Sequence, residues 1–150
     1  MRAVVQRVEN CSVEVEGDTK GQIGSGLLVY LGVTHRDTEN DAAYLAEKIV
    51  NLRIFEDSEG KMNLSLTDKR DSGILVLSQF TLYGDTRKGR RPSYSKAADP
   101  EHGKFLYNRF LHKLESLGYP PESGVFGAFM QVTYTNMGPV TILLDSEKIF

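Results

Sequence analysis

Three short stretches carry side chains out of keeping with their neighbours, and each has the means to do chemistry. Ser78-Gln79-Phe80-Thr81 places two hydroxyls and an amide within an apolar run from Gly73 to Tyr83. Taken alone it reads as a strand leaving the core; taken as a site it offers donors, acceptors and one candidate nucleophile. Asn136-Met137-Gly138-Pro139-Val140-Thr141 interrupts two apolar stretches near the C-terminus. Proline has no N–H for a strand ladder, so Gly-Pro reads first as a turn. A Gly-Pro bond can also be cis, and bare glycine lets backbone approach a ligand closely. Arg87-Lys88-Gly89-Arg90-Arg91 gathers four cations in five residues. It is either a solvated loop or a local phosphate-binding patch.

Other chemistries find little support. There is no GxSxG elbow, no GxxxxGK[ST] phosphate loop and no GxGxxG opening a helix. His35, His102 and His112 are scattered, form no HExxH pattern and read as structural. Cys11 is the single cysteine, which excludes an intramolecular disulfide and thiolate-rich zinc sites. Hence no metal is expected. The net charge of −2 argues against a generally basic nucleic-acid binder. The N-terminus lacks a signal peptide's apolar core, and the run Gly26 to Val33 is far short of the ~20 residues that span a bilayer. A cytoplasmic protein with no membrane partner is expected.

The elements that must position these stretches follow from periodicity. A chain of 150 residues suits one domain. Residues 1 to 34 alternate as strands, with a turn at Gly17-Asp18 and a further turn at Gly24-Ser25-Gly26. Gly26 to Val33 is apolar throughout, as in a strand buried on both faces. A helix is expected from Asp37 or Thr38, with Ala42, Leu45, Ala46, Ile49 and Leu52 as its inner stripe. Glu56 to Gly60 makes a polar turn, and Gly73 to Tyr83 a second apolar strand. Residues 84 to 98 form a loop. Asp99-Pro100 caps a second helix with Leu106, Phe110, Leu114 and Leu117 facing inward, stopped at Gly118. Two final strands are expected at about Gly124–Thr135 and Val140–Leu144. The result is an α/β domain, mixed β-sheet layers with two packed helices, too sparse in βα units for a doubly wound fold.

Ser78-Gln79-Phe80-Thr81 and Gly138-Pro139-Val140-Thr141, in that order, change the reading. With Met1-Arg2-Ala3-Val4-Val5-Gln6-Arg7-Val8, Asn51 to Asp57, Gly60 to Ser65 and Lys88 to Ser93, they resemble the D-aminoacyl-tRNA deacylase family over essentially the whole chain. The resemblance implies a homodimer with active sites at the interface, acting on the 3′-terminal adenosine end of aminoacylated tRNA without metal or organic cofactor, and not on DNA. It implies that Gly138-Pro139, expected cis, enters the partner's pocket and leaves no room for an L side chain. Ser78, Gln79, Phe80 and Thr81 would line that pocket, with Thr81, Phe80 and Gln79 as its catalytic residues and Ser78 binding substrate; Arg7 would brace the Gly-Pro segment, and Met130 would pack against it. Arg87, Lys88, Arg90 and Arg91 would meet RNA phosphates. Met137 departs from the Asp common in the family before Gly-Pro. The reaction implied is ester hydrolysis that spares L-aminoacyl-tRNA and extends to glycyl-tRNA. A non-catalytic RNA-binding module and a small-molecule esterase or amidase are the rival readings.

Overall fold

The computed structural model describes residues 1–69 and 71–149. Its organising element is β1 (Arg2–Val15). Three strands pair with it, all antiparallel: β2 (Asp18–Ile23), β3 (Gly26–Gly32) and β8 (Gln131–Asp145). Arg2 to Val8 pairs with β3, and Cys11 to Val15 with β2, while β8 follows β1 along both halves. Beyond β3 the sheet continues in parallel through β6 (Gly73–Ser78) to the short β7 (Glu122–Ser123). A Cβ added at Gly21 of β2 would lie 3.0 Å from the Ser123 carbonyl oxygen of β7, so the mixed sheet nearly closes on itself. At the start of the β3–β6 pair a Cβ on Gly26 would fall 1.9 Å from the Gly73 carbonyl oxygen, a contact only glycine permits.

Side chains alternate across a strand, so a strand apolar at every position can serve two cores. This is what β3 does. Leu27, Val29 and Leu31 join Ile74 and Val76 under the helices, while Leu28 joins Val8, Cys11, Val13, Leu75 and Leu77 inside the curled sheet. The helices are α1 (Glu39–Val50) and α2 (Pro100–Ser116). Thr38 and Asp41 form a reciprocal cap at the start of α1, and the Asp99 carboxylate accepts from the His102 N–H at the start of α2. Ala42, Leu45, Ala46 and Ile49 meet Leu106, Phe110 and Leu114 in one cluster; Leu52 and Leu117 pack at its margin. His35 and His102 hydrogen-bond to the carbonyls of Ser95 and Asp37. No described helix is long and apolar enough to cross a membrane.

Two expected boundaries move. The strand expected from Gly73 to Tyr83 stops at Ser78, because backbone at Gln79 turns and Phe80–Tyr83 winds into a 3-10 turn. The two strands expected near the C-terminus are one, β8, which continues through Gly138-Pro139 because β1 pairs on either side of it. The stretch before β6 also holds a small hairpin, β4 (Phe55–Glu56) with β5 (Met62–Leu64), followed by a 3-10 turn at Leu66–Asp68.

Cys11 is buried inside the curled sheet, and burial pushes its thiol up to about 11. The raised value keeps the thiol neutral and unreactive over the ordinary working range. A thiol-disulfide reagent at about pH 8 should therefore leave the native protein untouched and react with one thiol only after denaturation. Fast reaction of the native protein would show that this interior opens readily.

Candidate active site

The end of β6 opens on a cavity of about 590 Å³, within the size range of small-ligand sites. Leu77, Tyr107 and Val132 contribute apolar wall, and Ser78, Gln79 and Phe80 lie along it. The sequence places them there by a change of course. The Gln79 N–H still donates to the Leu31 carbonyl at 2.8 Å, the last bond of the β3–β6 register. The chain then leaves the sheet, and the first N–H groups of the turn, those of Phe80 and Thr81, have no acceptor within it. Gln79 Nε2 donates to Thr81 Oγ1 at 2.5 Å. Thr81 itself is exposed and lies beside the cavity wall, not on it. No carboxylate, imidazole or amine is hydrogen-bonded to its hydroxyl among the described residues.

Aromatic side chains dominate the rest of the wall. Phe80 and Tyr94 meet edge to face with centroids 5.1 Å apart, and Phe129 projects into solvent at 86% exposure. Tyr30 lines the cavity and packs with Tyr134 against the core inside the curled sheet. Burial, and then the neighbouring Tyr134 phenol, push the Tyr30 phenol well above its ordinary value, so it stays neutral. Tyr107 is engaged elsewhere, donating to the Val76 carbonyl at 2.8 Å. Met130 shares the wall with Gln79 and Phe80. Sequence reasoning overlooked Tyr30 and the Phe126-Gly127-Ala128-Phe129 segment; the density of aromatics before Met130 was the available signal.

Gly138-Pro139 is not on this wall. Its peptide bond is cis, and both residues are exposed. Opposite it on β1 stands Arg7: the register passes from Gln6–Thr141 to Val8–Asn136, so residues 137 to 140 bulge outward against one partner residue. Arg7 Nε donates to the Met137 carbonyl at 3.1 Å, Nη1 to the Ile54 carbonyl at 2.9 Å, and Nη2 pairs with Glu56 at 3.4 Å. The loop also closes on itself, since Asn136 Oδ1 accepts from the Val140 N–H at 3.0 Å. The Met137 side chain has no part in these bonds.

The basic stretch sits on the loop leaving the 3-10 turn. Backbone bonds between Asp85 and Ser93 close its base. Arg87 pairs with Asp85, and that guanidinium holds the Asp85 carboxyl well below the usual range. Lys88, Arg90 and Arg91 are exposed and unpaired among the described residues. No group of three or more His, Cys, Asp or Glu side chains converges to hold a metal among the described residues.

Known proteins resemble this chain over its full length. The sequence model of a family described as D-Tyr-tRNA(Tyr) deacylase matches residues 4–145. A protein of Thermosipho africanus named D-aminoacyl-tRNA deacylase is 59% identical over 150 residues, covering 100% of both chains. One of Bacillus velezensis with the same name is 54% identical over 148 residues, covering 99% of this chain and 100% of its own. A solved structure titled c-Myc DNA Unwinding Element Binding Protein superposes with a TM-score of 0.91 at 43% identity, covering 97% of this chain and 98% of that one. Another, titled as a probable eukaryotic D-amino acid tRNA deacylase, superposes at 0.81 with 21% identity over 95% of this chain and 97% of its own, a likeness of fold.

Gly138 has φ +125, and a Cβ there would stand 2.8 Å from Val140 Cγ2 and 3.0 Å from Arg7 Nη2. Gly138→Ala should cost about 1–3 kcal/mol in urea unfolding through backbone strain at that φ. A loss below about 0.5 kcal/mol, the scale of neutral surface changes, would show that the bulge adapts freely.

Proposed function

We propose a function from a fixed premise: the chain belongs to the D-Tyr-tRNA(Tyr) deacylase family. It hydrolyses the ester of D-aminoacyl-tRNA, and acts as a homodimer in which each cavity is completed by Gly138-Pro139 of the other copy. The observation that carries this reading is a separation. In one chain Ser78, Gln79 and Phe80 line the cavity, while Gly138-Pro139 stands exposed away from it. A second copy is the simplest source of the missing wall, and C2 dimers are the commonest closed assembly.

In this site water attacks the carbonyl that joins the amino acid to the terminal ribose. The carbonyl–oxygen bond breaks, and the ribose oxygen leaves as a hydroxyl with a proton from the water. The N–H groups of Phe80 and Thr81, which have no acceptor within the turn, are the donors for the developing oxyanion, each worth roughly 2.7–4 kcal/mol in comparable hydrolases. Thr81 is a poor nucleophile here: its oxygen already accepts from Gln79, and among the described residues no carboxylate, imidazole or amine is hydrogen-bonded to its hydroxyl. The adjacent 2′-hydroxyl of the tRNA assists instead, while the protein supplies orientation. Phe80 and Tyr94 offer an aromatic surface for the terminal adenine. Lys88, Arg90 and Arg91, with Arg87 partly neutralised by Asp85, face the phosphates. Rejection of L residues is a steric veto by the Gly138-Pro139 backbone, which adds a clash against the wrong hand and recognises no particular D side chain. The cytoplasm, where charged tRNA is found, is the place of action.

Three outcomes test this. Catalytic amounts of protein should turn over several D-aminoacyl-tRNAs and glycyl-tRNA while L-tyrosyl-tRNA survives; equal cleavage of both hands would refute the veto. Thr81→Ala should keep most of the activity, whereas a loss near 10⁴-fold, the scale for a true nucleophile, would make Thr81 the attacking group. Replacing Arg87, Lys88, Arg90 and Arg91 with Ala should lower the salt slope of tRNA binding by about 0.7–0.9 for each phosphate left without its cation. An unchanged slope would return this loop to solvent.

A further inference from the structure

The Gly138-Pro139 bulge is held by more than Arg7. Asn136 and Thr141 frame it, and they are tied to each other: Asn136 Nδ2 donates to Thr141 Oγ1 at 3.1 Å, while Asn136 Oδ1 accepts from the Val140 N–H. A third donor comes from across the sheet. Gln6, the β1 residue paired with Thr141, donates through Nε2 to the same Thr141 Oγ1 at 3.2 Å. These bonds close the bulge at its neck and involve none of the groups in the contact of Arg7 with the Met137 carbonyl.

Gln6 is an odd choice for stability. Its Oε1 is buried with no partner, the one described buried side-chain atom of its kind. Buried acceptors in native proteins are nearly always paired, and an unpaired one weakens the fold. An apolar residue of similar size would avoid that cost. What it would lose is the single bond to Thr141. A residue that is locally unfavourable apart from one contact points to a functional demand on that contact.

We propose that Gln6 and Asn136, acting through Thr141, are positioning residues that fix how far Gly138-Pro139 projects, and so set the D-over-L selectivity of the site. The consequence for selectivity rests on the reading above. A backbone veto works only while the backbone stays put, since a displacement of about 1 Å opens room for the wrong substituent. Neither residue lines the cavity, so neither touches the reacting atoms from within its own chain.

Gln6→Leu, Asn136→Ala and Asn136→Asp separate this from a structural role. Three quantities are measured on each: the melting temperature, the exchange rate of the Val140 amide, and the ratio of kcat/KM for D- and L-tyrosyl-tRNA. Gln6→Leu should melt no lower than the parent, because it removes the orphaned acceptor, yet its D/L ratio should fall about tenfold. Asn136→Ala should speed Val140 exchange about tenfold and lower the ratio likewise. Asn136→Asp keeps an acceptor for the Val140 N–H and should restore slow exchange and most of the selectivity. Unchanged Val140 exchange in Asn136→Ala would overturn the clip, whatever the enzyme does with either hand of substrate. A parental D/L ratio in folded Gln6→Leu and Asn136→Ala would overturn their role in selectivity. A parent that cleaves both hands equally, with Val140 exchange still accelerated in Asn136→Ala, would uphold the clip and overturn the chiral reading instead.

Discussion

With three acceptors, the Arg7 guanidinium joins two segments that lie far apart along the chain: the Met137 carbonyl on β8, and the Ile54 carbonyl and Glu56 carboxylate at β4. Few side chains can do this. Arginine carries five donors in a rigid fork, so one residue satisfies acceptors in several directions at once. The side chain is only 12% exposed, and its carbonyl bonds matter more than the ion pair with Glu56, which is itself largely in solvent. Arg7 occupies the first of two places on β1 where the ladder to β8 is interrupted. The bulge exists because β1 offers one residue against four, and it has a defined shape because that residue is an arginine. Since the bonds run to the carbonyl of residue 137, the methionine there leaves them intact.

The same sheet that fixes the bulge also makes the cavity. A strand apolar at every position, β3, divides the interior into a helix-facing core and a core inside the curled sheet. The cavity lies where both cores give way at the end of β6, with Leu31 and Tyr107 of the first and Leu77 and Val132 of the second in its wall. Ser78 and Gln79 are therefore half-buried polar groups at the rim of a chamber walled mainly by apolar side chains. One motif is a bulge within β8, and the other starts at the end of β6 and runs into the 3-10 turn after it. That suits the proposed function, in which discrimination depends on where backbone atoms stand.

Much of this was legible in the sequence, and the remainder has identifiable causes. Local chemistry marked the helices well: Thr38 and Asp99 are caps, Pro100 opens α2, and the inner stripes are those expected. The buried strand at Gly26 to Gly32 was equally plain. Long-range pairing was not. Nothing local says that β8 runs unbroken past Gly138-Pro139, because the bonds that keep it a strand are made with β1, more than a hundred residues earlier in the chain. The strand expected up to Tyr83 ended at Ser78 because hydrophobicity continues through Phe80, Leu82 and Tyr83 while the backbone does not. At the site, the residue types were readable and their grouping was not. Thr81 lies off the cavity wall, Tyr30 lies on it, and the neck formed by Gln6, Asn136 and Thr141 depends on strand register.

The proposed working site is assembled from the cavity of one copy and the Gly138-Pro139 bulge of another. A crystal structure of the protein with a non-hydrolysable D-aminoacyl-adenosine tests that assembly most directly. The expected result is a dimer with the adenosine against Phe80, the ester replacement beside the Phe80 and Thr81 N–H groups, and the ammonium facing the Gly138-Pro139 backbone of the other copy. A ligand bound wholly within one chain, with Gly138-Pro139 of both copies left in solvent, would contradict it.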